Sequence, residues 1–380
     1  MNQKNSPEHK SKPHYEILDA LRGVAAILVV AFHVFESYAT SSYDQILNHA
    51  YLAVDFFFML SGFVIGYAYD DRMKKMTFAG FMKMRIMRLQ PMVVFGTALG
   101  TILFYYGASA AFPLIAQTPL WKLLLFALLS VLIIPTPKSV DIRGNYPEMY
   151  NLDGPIWTLA YEYFGNILYA LFVNRFTKRA LIILVAVAGC STLYLTLSQG
   201  DVCGGWFLNG SHIYKGATRL IFPFFCGLLL FRIHKLIKTR HAFIISSVIL
   251  VALLVMPRIG DEQTKMMNGI YEAAVIIIAF PIIVAIGAGG KVGTKSMSKL
   301  CKFLGDISYP IYLINYPICY IQTGWVSNQR AVNPDFGLGD AGVIPIVVFL
   351  SITALSIAAT YLYDKPVRKW MKEKIKKISH

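Results

Sequence analysis

Residues 18–33 have the sequence LDALRGVAAILVVAFH, an apolar stretch that nevertheless carries Asp19, Arg22 and His33. An ionisable group inside a membrane helix costs about 2.5–3.5 kcal/mol on insertion scales, so its presence indicates function. At about 100° per residue, the eleven residues from Arg22 to His33 return the chain to within about 20° of one direction, roughly 16 Å further along. Asp19 lies within about 40° of the same line. The spacing predicts one charged stripe that faces a cavity rather than lipid.

The composition extends this prediction to the whole chain. Of the 380 residues, 56% are hydrophobic and only 15% are charged, and a soluble protein of this size could not cover such a surface. Hydropathy places apolar runs at 18–38, 51–69, 91–106, 120–134, 155–173, 180–198, 217–231, 242–257, 270–288, 306–325 and 342–363. Several reach the roughly 20 residues that a spanning helix requires. We therefore predict an all-α, polytopic membrane protein.

The net charge of +15 has a distribution that argues against nucleic acid as a partner. Basic residues cluster in the short segments 72–88, 175–179, 232–240, 291–302 and 365–377. The loops at 40–50 and 107–119 contain no Lys or Arg. This is the positive-inside pattern, so we predict a protein of the cell membrane with its basic segments and both termini in the cytoplasm.

This orientation requires an even number of crossings. The parity fails only between Arg88 and Arg175, where three apolar runs lie between two cytoplasmic segments. We predict about ten transmembrane helices, with 107–134 partly re-entrant or interfacial. The alternative, in which 155–173 is the non-spanning run, stays open.

Three ionisable residues are predicted at similar depths. His33 lies about five residues before the outer end of the first span, Asp55 about four residues into the second, and Glu162 seven residues into the run 155–173. At 1.5 Å per residue they lie roughly 6–10 Å below the outer face. We predict that they form the catalytic group, since a carboxylate fixes the imidazole tautomer of a histidine base and stabilises its charged form. The alternative is three polar groups that neighbouring helices satisfy.

Arg85 and Arg88 lie three residues apart, just before Pro91, which is expected to open the third span. Guanidinium groups bind phosphate oxygens through two parallel hydrogen bonds, which suits a phosphorylated cytosolic ligand. Basic residues also flank the cytoplasmic ends of spans for topology alone, and that interpretation stays open. The polar loop 135–154 is expected either to meet a glycan or simply to be solvated. The cysteines show neither metal-ligand nor redox spacing, so we predict no metal site.

Six segments along the chain carry recognisable motifs. They are LDALRG at 18–23 with His33, VDFFFMLSGF at 54–63, Arg85 and Arg88 before LQP at 89–91, WTLAYE at 157–162, LGDISYPIYL at 304–313 and DKPVR at 364–368. In this order they resemble the motifs of the integral-membrane acyltransferase 3 family. The resemblance covers nearly the whole chain, from residue 17 to 370.

The resemblance implies an enzyme that transfers an acyl group, usually acetyl, from cytosolic acyl-CoA to a hydroxyl of an extracytoplasmic or lipid-linked glycan. Acyl-CoA would be a donor substrate, with no permanently bound cofactor. By the resemblance, His33 is catalytic and Glu162 supports it. The residues assigned to acyl-CoA binding are Arg22, Arg85 and Arg88, and those assigned to substrate binding are Asp19, Trp157 and Tyr309. Two positions depart from the family pattern: Asn315 replaces a frequent His, and Asp364 a frequent Glu.

The predicted organisation is a cytoplasmic tail at 1–16, a transmembrane acyltransferase domain at 17–364 and a basic cytoplasmic tail at 365–380. We expect no esterase-type domain after the last span. The predicted partners are acyl-CoA, a glycan or glycolipid acceptor and membrane lipids. The alternative function is a secondary transporter of a small anionic solute, which would also bury charge near mid-membrane. Such transporters usually show paired repeats and broken helices, and neither is evident here.

Overall fold

The computed structural model describes residues 14–261 and 263–378, with side chains as far as Lys374. Most of the predicted tail at 1–16 and the last two residues of the tail at 365–380 therefore lie outside the described residues. The α-helices are α1 (Glu16–Glu36), α2 (Ala53–Tyr69), α3 (Phe78–Tyr105), α4 (Leu120–Val131), α5 (Ile156–Leu171), α6 (Lys178–Gln199), α7 (Gly210–Ile233), α8 (Ala242–Leu254), α9 (Lys265–Ala274), α10 (Phe280–Gly289), α11 (Lys295–Val332), α12 (Ile344–Ala359) and α13 (Lys365–Ile378). Short π-helices, Val275–Ala279 and Thr360–Asp364, connect α9 to α10 and α12 to α13. The described residues form no β-sheet, which confirms the all-α prediction.

Seven helical stretches in the described part of the chain are long and apolar enough to cross a membrane. They are Glu16–Glu36, Asn48–Tyr69, Phe78–Tyr105, Lys178–Gln199, Gly210–Ile233, Lys265–Gly289 and Ile344–Lys374. This confirms a polytopic membrane protein, although seven is fewer than the ten spans predicted. Two apolar helices, α4 and α8, are shorter than a span, and α5 has only 16 residues. The 38-residue α11 is long, but its tyrosine, proline and amide residues lower its hydropathy.

The helix α3 begins thirteen residues before Pro91, so the expectation that Pro91 opens the third span is wrong. Thr77 caps the helix by accepting a hydrogen bond from the backbone N–H of Gly80 at 3.1 Å. A threonine side chain satisfies one of the free N–H groups of the first turn, and this fixes the start. Pro91 is accommodated inside the helix. Arg85 and Arg88 therefore lie about 10 and 15 Å along α3 rather than at its edge.

The helices α1 and α11 lie side by side and run in the same direction. Ser298 donates a hydrogen bond to Glu16 at 2.7 Å near their first residues, and Gln322 donates to the Val34 carbonyl at 3.0 Å near the end of α1. A methyl group at Gly23 would collide with the backbone of Leu304, so glycine permits this close approach. We call the end of the bundle that holds Glu16 and Ser298 the basic end, and the end that holds Val34 and Gln322 the far end.

The segment between α3 and α5 packs against the far half of the bundle. α4 ends beside the middle of α3, where Gln90 donates a hydrogen bond to the Val131 carbonyl. The returning chain brings Leu152 against Gly100 of α3, and α5 begins a few residues later. α4 therefore covers only part of the length of α3. The re-entrant or interfacial character of 107–134 stays a prediction.

Candidate active site

A cavity of about 1150 Å³ lies at the basic end, between α1, α2, α3, α5, α11 and α13. Five of the predicted site residues line it, namely Asp19, Arg22, Arg88, Glu162 and Tyr309. Of the predicted residues that the structure describes, His33, Asp55, Arg85 and Trp157 do not line it. The cavity is therefore lined by most of the residues predicted to bind acyl-CoA or substrate, but not by the predicted catalytic histidine.

The charged stripe of α1 faces this cavity at Asp19 and Arg22, as the spacing predicts. The Asp19 carboxylate lies 3.3 Å from the Arg22 guanidinium and 3.3 Å from the ring of His14. Gly305 of α11 packs directly against Asp19, since a Cβ at this position would lie only 2.8 Å from the Asp19 Cβ. The stripe thus places one ion pair on the cavity wall at the basic end.

The two arginines of α3 have different surroundings. Arg85 is buried, and its guanidinium lies 2.6 Å from Glu162, which also accepts a hydrogen bond from Ser61 at 3.1 Å. Arg85 is therefore neutralised by a protein carboxylate. Arg88 lines the cavity and has no ion pair among the described residues. Only Arg88 of the two has a side chain available to a ligand phosphate.

Asp55 is bound to Arg219, a residue that the sequence analysis missed. The two side chains are almost fully buried, and Arg219 donates to the carboxylate from two nitrogens at 3.1 and 2.8 Å. Arg219 also donates to the carbonyls of Tyr51 at 2.8 Å and Gly204 at 3.1 Å. Its guanidinium lies 5.5 Å from the Trp157 ring. One signal was available, since Arg219 is a basic residue inside the apolar run 217–231.

His33 has its own carboxylate partner, Glu36, which the sequence analysis also missed. Nδ1 of His33 lies 2.8 Å from Glu36, one helical turn further along α1. With the proton on Nδ1 donated to Glu36, Nε2 is left as the acceptor. The ring of Tyr316 packs edge-on against the imidazole at 4.5 Å between centroids. The spacing of three residues between His33 and Glu36 was the available signal.

The loop 135–154 is solvated only in part, since 137–140 and 144–146 are exposed whereas 149–154 are buried. Arg143 is buried with its guanidinium 4.1 Å from the Tyr320 ring centroid and 3.5 Å from Glu148. Glu148 in turn accepts a hydrogen bond from Tyr316 at 3.2 Å. Asp153 is fully buried, and neither of its carboxyl oxygens has a hydrogen-bond partner among the described residues. The loop supplies the polar surroundings of Tyr316.

The structure does not bring His33, Asp55 and Glu162 together. Their partners are Glu36, Arg219 and Arg85 respectively. Ser61, which contacts Glu162, lies six residues after Asp55 on α2, or about 9 Å nearer the basic end. Glu162 is displaced because α5 starts at Ile156, beside the middle of α3 rather than at its far end. The catalytic and supporting roles of the three stay predictions.

Two tyrosines of α11 connect the cavity with His33. Tyr312 lines the cavity, where its hydroxyl lies 3.0 Å from the hydroxyl of Thr158. Tyr316 lies one turn further along and contacts the imidazole. Between them, Asn315 donates to the carbonyls of Ile311 at 3.0 Å and Tyr312 at 2.6 Å, so it bonds to its own helix. Tyr309, one turn nearer the basic end, donates to the Leu89 carbonyl at 2.7 Å beside Arg88.

Comparison with known proteins gives matches along most of the chain. Residues 15–365 match the family model of the acyltransferase domain known as acyltransferase 3. Protein 2 in picA locus of Rhizobium radiobacter is 32% identical over 183 residues, which are 45% of this chain and 89% of that protein. O-acetyltransferase OatA of Staphylococcus aureus is 22% identical over 373 residues, 93% of this chain and 57% of OatA.

A third relative is YrhL of Bacillus subtilis, whose name provisionally assigns it to peptidoglycan O-acetylation. It is 25% identical over 398 residues, 95% of this chain and 56% of YrhL. The chain thus spans little more than half the length of OatA and YrhL. No solved structure is significantly similar to the chain.

Proposed function

Since this chain belongs to the acyltransferase 3 family and is an acyltransferase, we propose that it transfers an acetyl group from cytosolic acetyl-CoA to a carbohydrate hydroxyl. The acceptor in this proposal is a glycan that is extracytoplasmic or linked to a lipid. The names of OatA and YrhL, which both refer to O-acetyl transfer, support the acetyl group and the oxygen acceptor. The name of YrhL, which refers to peptidoglycan, supports a glycan.

The proposed orientation places the basic end in the cytoplasm. The α13 helix and the start of α11 contribute lysines to this end, whereas the far-end loop at 40–50 contains no Lys or Arg. Cytoplasmic segments carry an excess of such residues. A cytosolic donor would enter the cavity directly, and an acceptor would approach His33 from the far end.

The observation that carries the proposal is the arrangement of the cavity relative to His33. Arg88 offers a phosphate inside the cavity a guanidinium that has no ion pair among the described residues. From there, apolar side chains of Phe57 and Leu159 continue towards Tyr312, and Tyr316 beyond it contacts His33. A donor with a phosphorylated end and an uncharged thioester arm matches this order. A small anionic solute would not need the apolar half.

In the proposed reaction, Nε2 of His33 takes the proton of the acceptor hydroxyl while Glu36 holds Nδ1. The hydroxyl oxygen attacks the thioester carbonyl, the carbon–sulfur bond breaks, and the proton on His33 passes to the departing thiolate. The rival mechanism forms an acyl-His33 intermediate, in which the imidazole nitrogen attacks first. Rapid mixing with labelled acetyl-CoA in the absence of acceptor separates them, since only the rival leaves label on the protein.

The remaining predicted site residues have supporting roles in this proposal. Asp55 fixes Arg219, which holds the backbone of Tyr51 and Gly204 at the far end. Glu162 fixes Arg85 beside Arg88. Asp19 and Tyr309 contact the donor from the cavity wall, with Arg22 close to its phosphates. Trp157, beside Arg219, would face the acceptor.

The test is thiol release from acetyl-CoA by the purified full chain in proteoliposomes. Protein whose basic end faces the added donor should release coenzyme A when a glycan acceptor is supplied on the opposite side. Acetyl-CoA does not cross the bilayer, so molecules in the opposite orientation serve as an internal control. A secondary transporter would release no thiol, and that result would contradict the proposal.

A further inference from the structure

The helix α13 presents one face to the cavity. Its lining residues are Lys365, Arg368, Lys369, Lys372 and Glu373, which we call the α13 stripe. Their spacing places them on a single helical face, because residues three and four apart are neighbours on a helix. Resting on the proposed function, we propose that the stripe, through Lys369 and Lys372, binds the 3′-phosphate of the nucleotide end of the acyl donor.

The stripe is held in place by the rest of the bundle. A continuous helical stretch runs from Ile344 to Lys374 through the π-helix Thr360–Asp364. Lys365 lies 2.6 Å from Asp306 of α11, and Arg368 is paired with Asp364 one turn before it. α13 is therefore fixed as a wall of the cavity rather than a loose tail. From the sequence alone, this segment is predicted only as a basic cytoplasmic tail.

The charges of the stripe are only partly compensated. Lys365 and Arg368 have the carboxylate partners just named, but Lys369 and Lys372 have no ion pair with any side chain that the structure describes. Lys302 of α11, which also lines the cavity, is in the same situation. The carboxylates facing these lysines are Glu373 on the stripe itself and Glu16 of α1, and Glu16 accepts a hydrogen bond from Ser298. The mouth therefore holds a surplus of positive charge.

The lysines lie at the mouth of the cavity, beyond the arginines. Lys372 is eight residues past Asp364, or about 12 Å further along the helix. Lys302 is seven residues before Tyr309 on α11, or about 10 Å nearer the basic end. The Tyr309 hydroxyl contacts the carbonyl of Leu89, the residue next to Arg88, so Lys302 also lies nearer the basic end than Arg88. Any ligand that spans the cavity meets the lysines first and Arg88 afterwards.

The order of charges matches the chemistry of a coenzyme A thioester. Such a donor carries a 3′-phosphate on its ribose, then a diphosphate, then an uncharged arm that ends in the thioester. Lysine ammonium groups hold a terminal phosphate as point charges, and arginine suits the diphosphate further in. The Phe57 and Leu159 side chains then surround the uncharged arm. The 3′-phosphate is thus the group that reaches α13.

The test compares coenzyme A with 3′-dephospho-coenzyme A, which lacks only the 3′-phosphate that the two lysines are proposed to bind. Binding of each to the full chain in detergent is measured by calorimetry. We expect the wild type to prefer coenzyme A, and the double variant Lys369→Gln/Lys372→Gln to bind it about ten-fold more weakly, on the order of three-fold per exposed charge pair. Its affinity for the dephospho compound should be unchanged.

Two single variants sharpen the test. Lys374→Gln removes the same charge from the same helix as Lys372→Gln, but Lys374 lies over the Trp370 ring and does not line the cavity among the described residues. We expect a loss of affinity only for Lys372→Gln. Glu373→Gln removes the carboxylate of the stripe and should bind coenzyme A about two- to three-fold more tightly.

Each outcome bears on one of the two proposals. Equal wild-type affinity for the two compounds, an equal loss for Lys372→Gln and Lys374→Gln, or a double variant that weakens for both compounds alike would overturn the role of α13. All three results would leave the acyl-CoA donor intact. A wild-type protein that binds neither compound would instead contradict the proposed function itself.

Discussion

Replacement of Asp55 by Asn should damage stability more than chemistry. The substitution removes the charge that neutralises Arg219, and both side chains are almost fully buried. Breaking a buried ion pair by removing one partner costs about 3–5 kcal/mol, because the remaining charge stays buried without compensation. At about 2.1 cal/mol/K of unfolding entropy per residue, 1 kcal/mol shifts the Tm of a 380-residue chain by roughly 1.3 °C, so we expect a Tm lower by about 4–6 °C.

Loss of the Asp55 charge would also weaken the hydrogen bonds that Arg219 donates to the backbone at the far end. Arg219 donates to the carbonyls of Tyr51 and Gly204, so a displaced guanidinium leaves two acceptors without their donor. We therefore expect Arg219→Gln to be at least as destabilising as Asp55→Asn. Asp335→Asn is the matched control, since Asp335 is an exposed aspartate near the same end of the bundle.

The assay is thermal unfolding in detergent, followed by thiol release per folded molecule. Among the described residues, Asp55 neither lines the cavity nor contacts His33, so Asp55→Asn should retain activity within about ten-fold of the wild type. Loss of a catalytic acid or base would instead lower the rate by about 10²–10⁴-fold. An Asp55→Asn variant with an unchanged Tm but no activity would refute this reasoning. It would return Asp55 to the catalytic group predicted from the sequence.

Three further predictions follow from individual contacts. Glu36→Gln should lower kcat about five-fold with little change in KM, because the carboxylate that holds Nδ1 of His33 is 45% exposed and a screened pair contributes about 1 kcal/mol; steady-state kinetics over a range of acceptor concentrations check this. Arg88→Ala should weaken coenzyme A binding without changing Tm, whereas Arg85→Ala should lower Tm because it leaves the Glu162 carboxylate without its partner. Calorimetry measures the affinity and thermal unfolding measures Tm, and equal changes in the two variants would contradict this prediction. In a background without native cysteines, Ser42→Cys and Tyr146→Cys should react with an impermeant thiol reagent from outside and Lys238→Cys only after permeabilisation, and the reverse pattern would invert the proposed orientation.

The class of fold and one part of the site could be predicted from the sequence. Apolar runs of spanning length and the distribution of Lys and Arg indicate a polytopic helical protein, because the bilayer constrains length and charge so strongly. The helical period likewise placed Asp19 and Arg22 on the cavity wall. These results need only local geometry, which a sequence contains directly.

Pairings between helices could not be predicted in the same way. Asp55 meets Arg219 across 164 positions of the chain, and Arg85 meets Glu162 across 77. The predicted depths require every span to begin at a membrane face, which does not hold for Glu162, because α5 begins beside the middle of α3. The burial of Arg143 also depends on distant partners such as Tyr320. Such contacts depend on the packing of the whole bundle.

The central claim is that His33 is the base for acyl transfer from a donor bound at the basic end. The most direct measurement is acceptor-dependent thiol release by His33→Ala in proteoliposomes, beside wild-type protein at equal amount and equal Tm. We predict a loss of about 10²–10⁴-fold in rate, as expected when a general base is removed, with coenzyme A affinity unchanged because His33 does not line the donor cavity among the described residues. A rate close to that of the wild type would contradict the account.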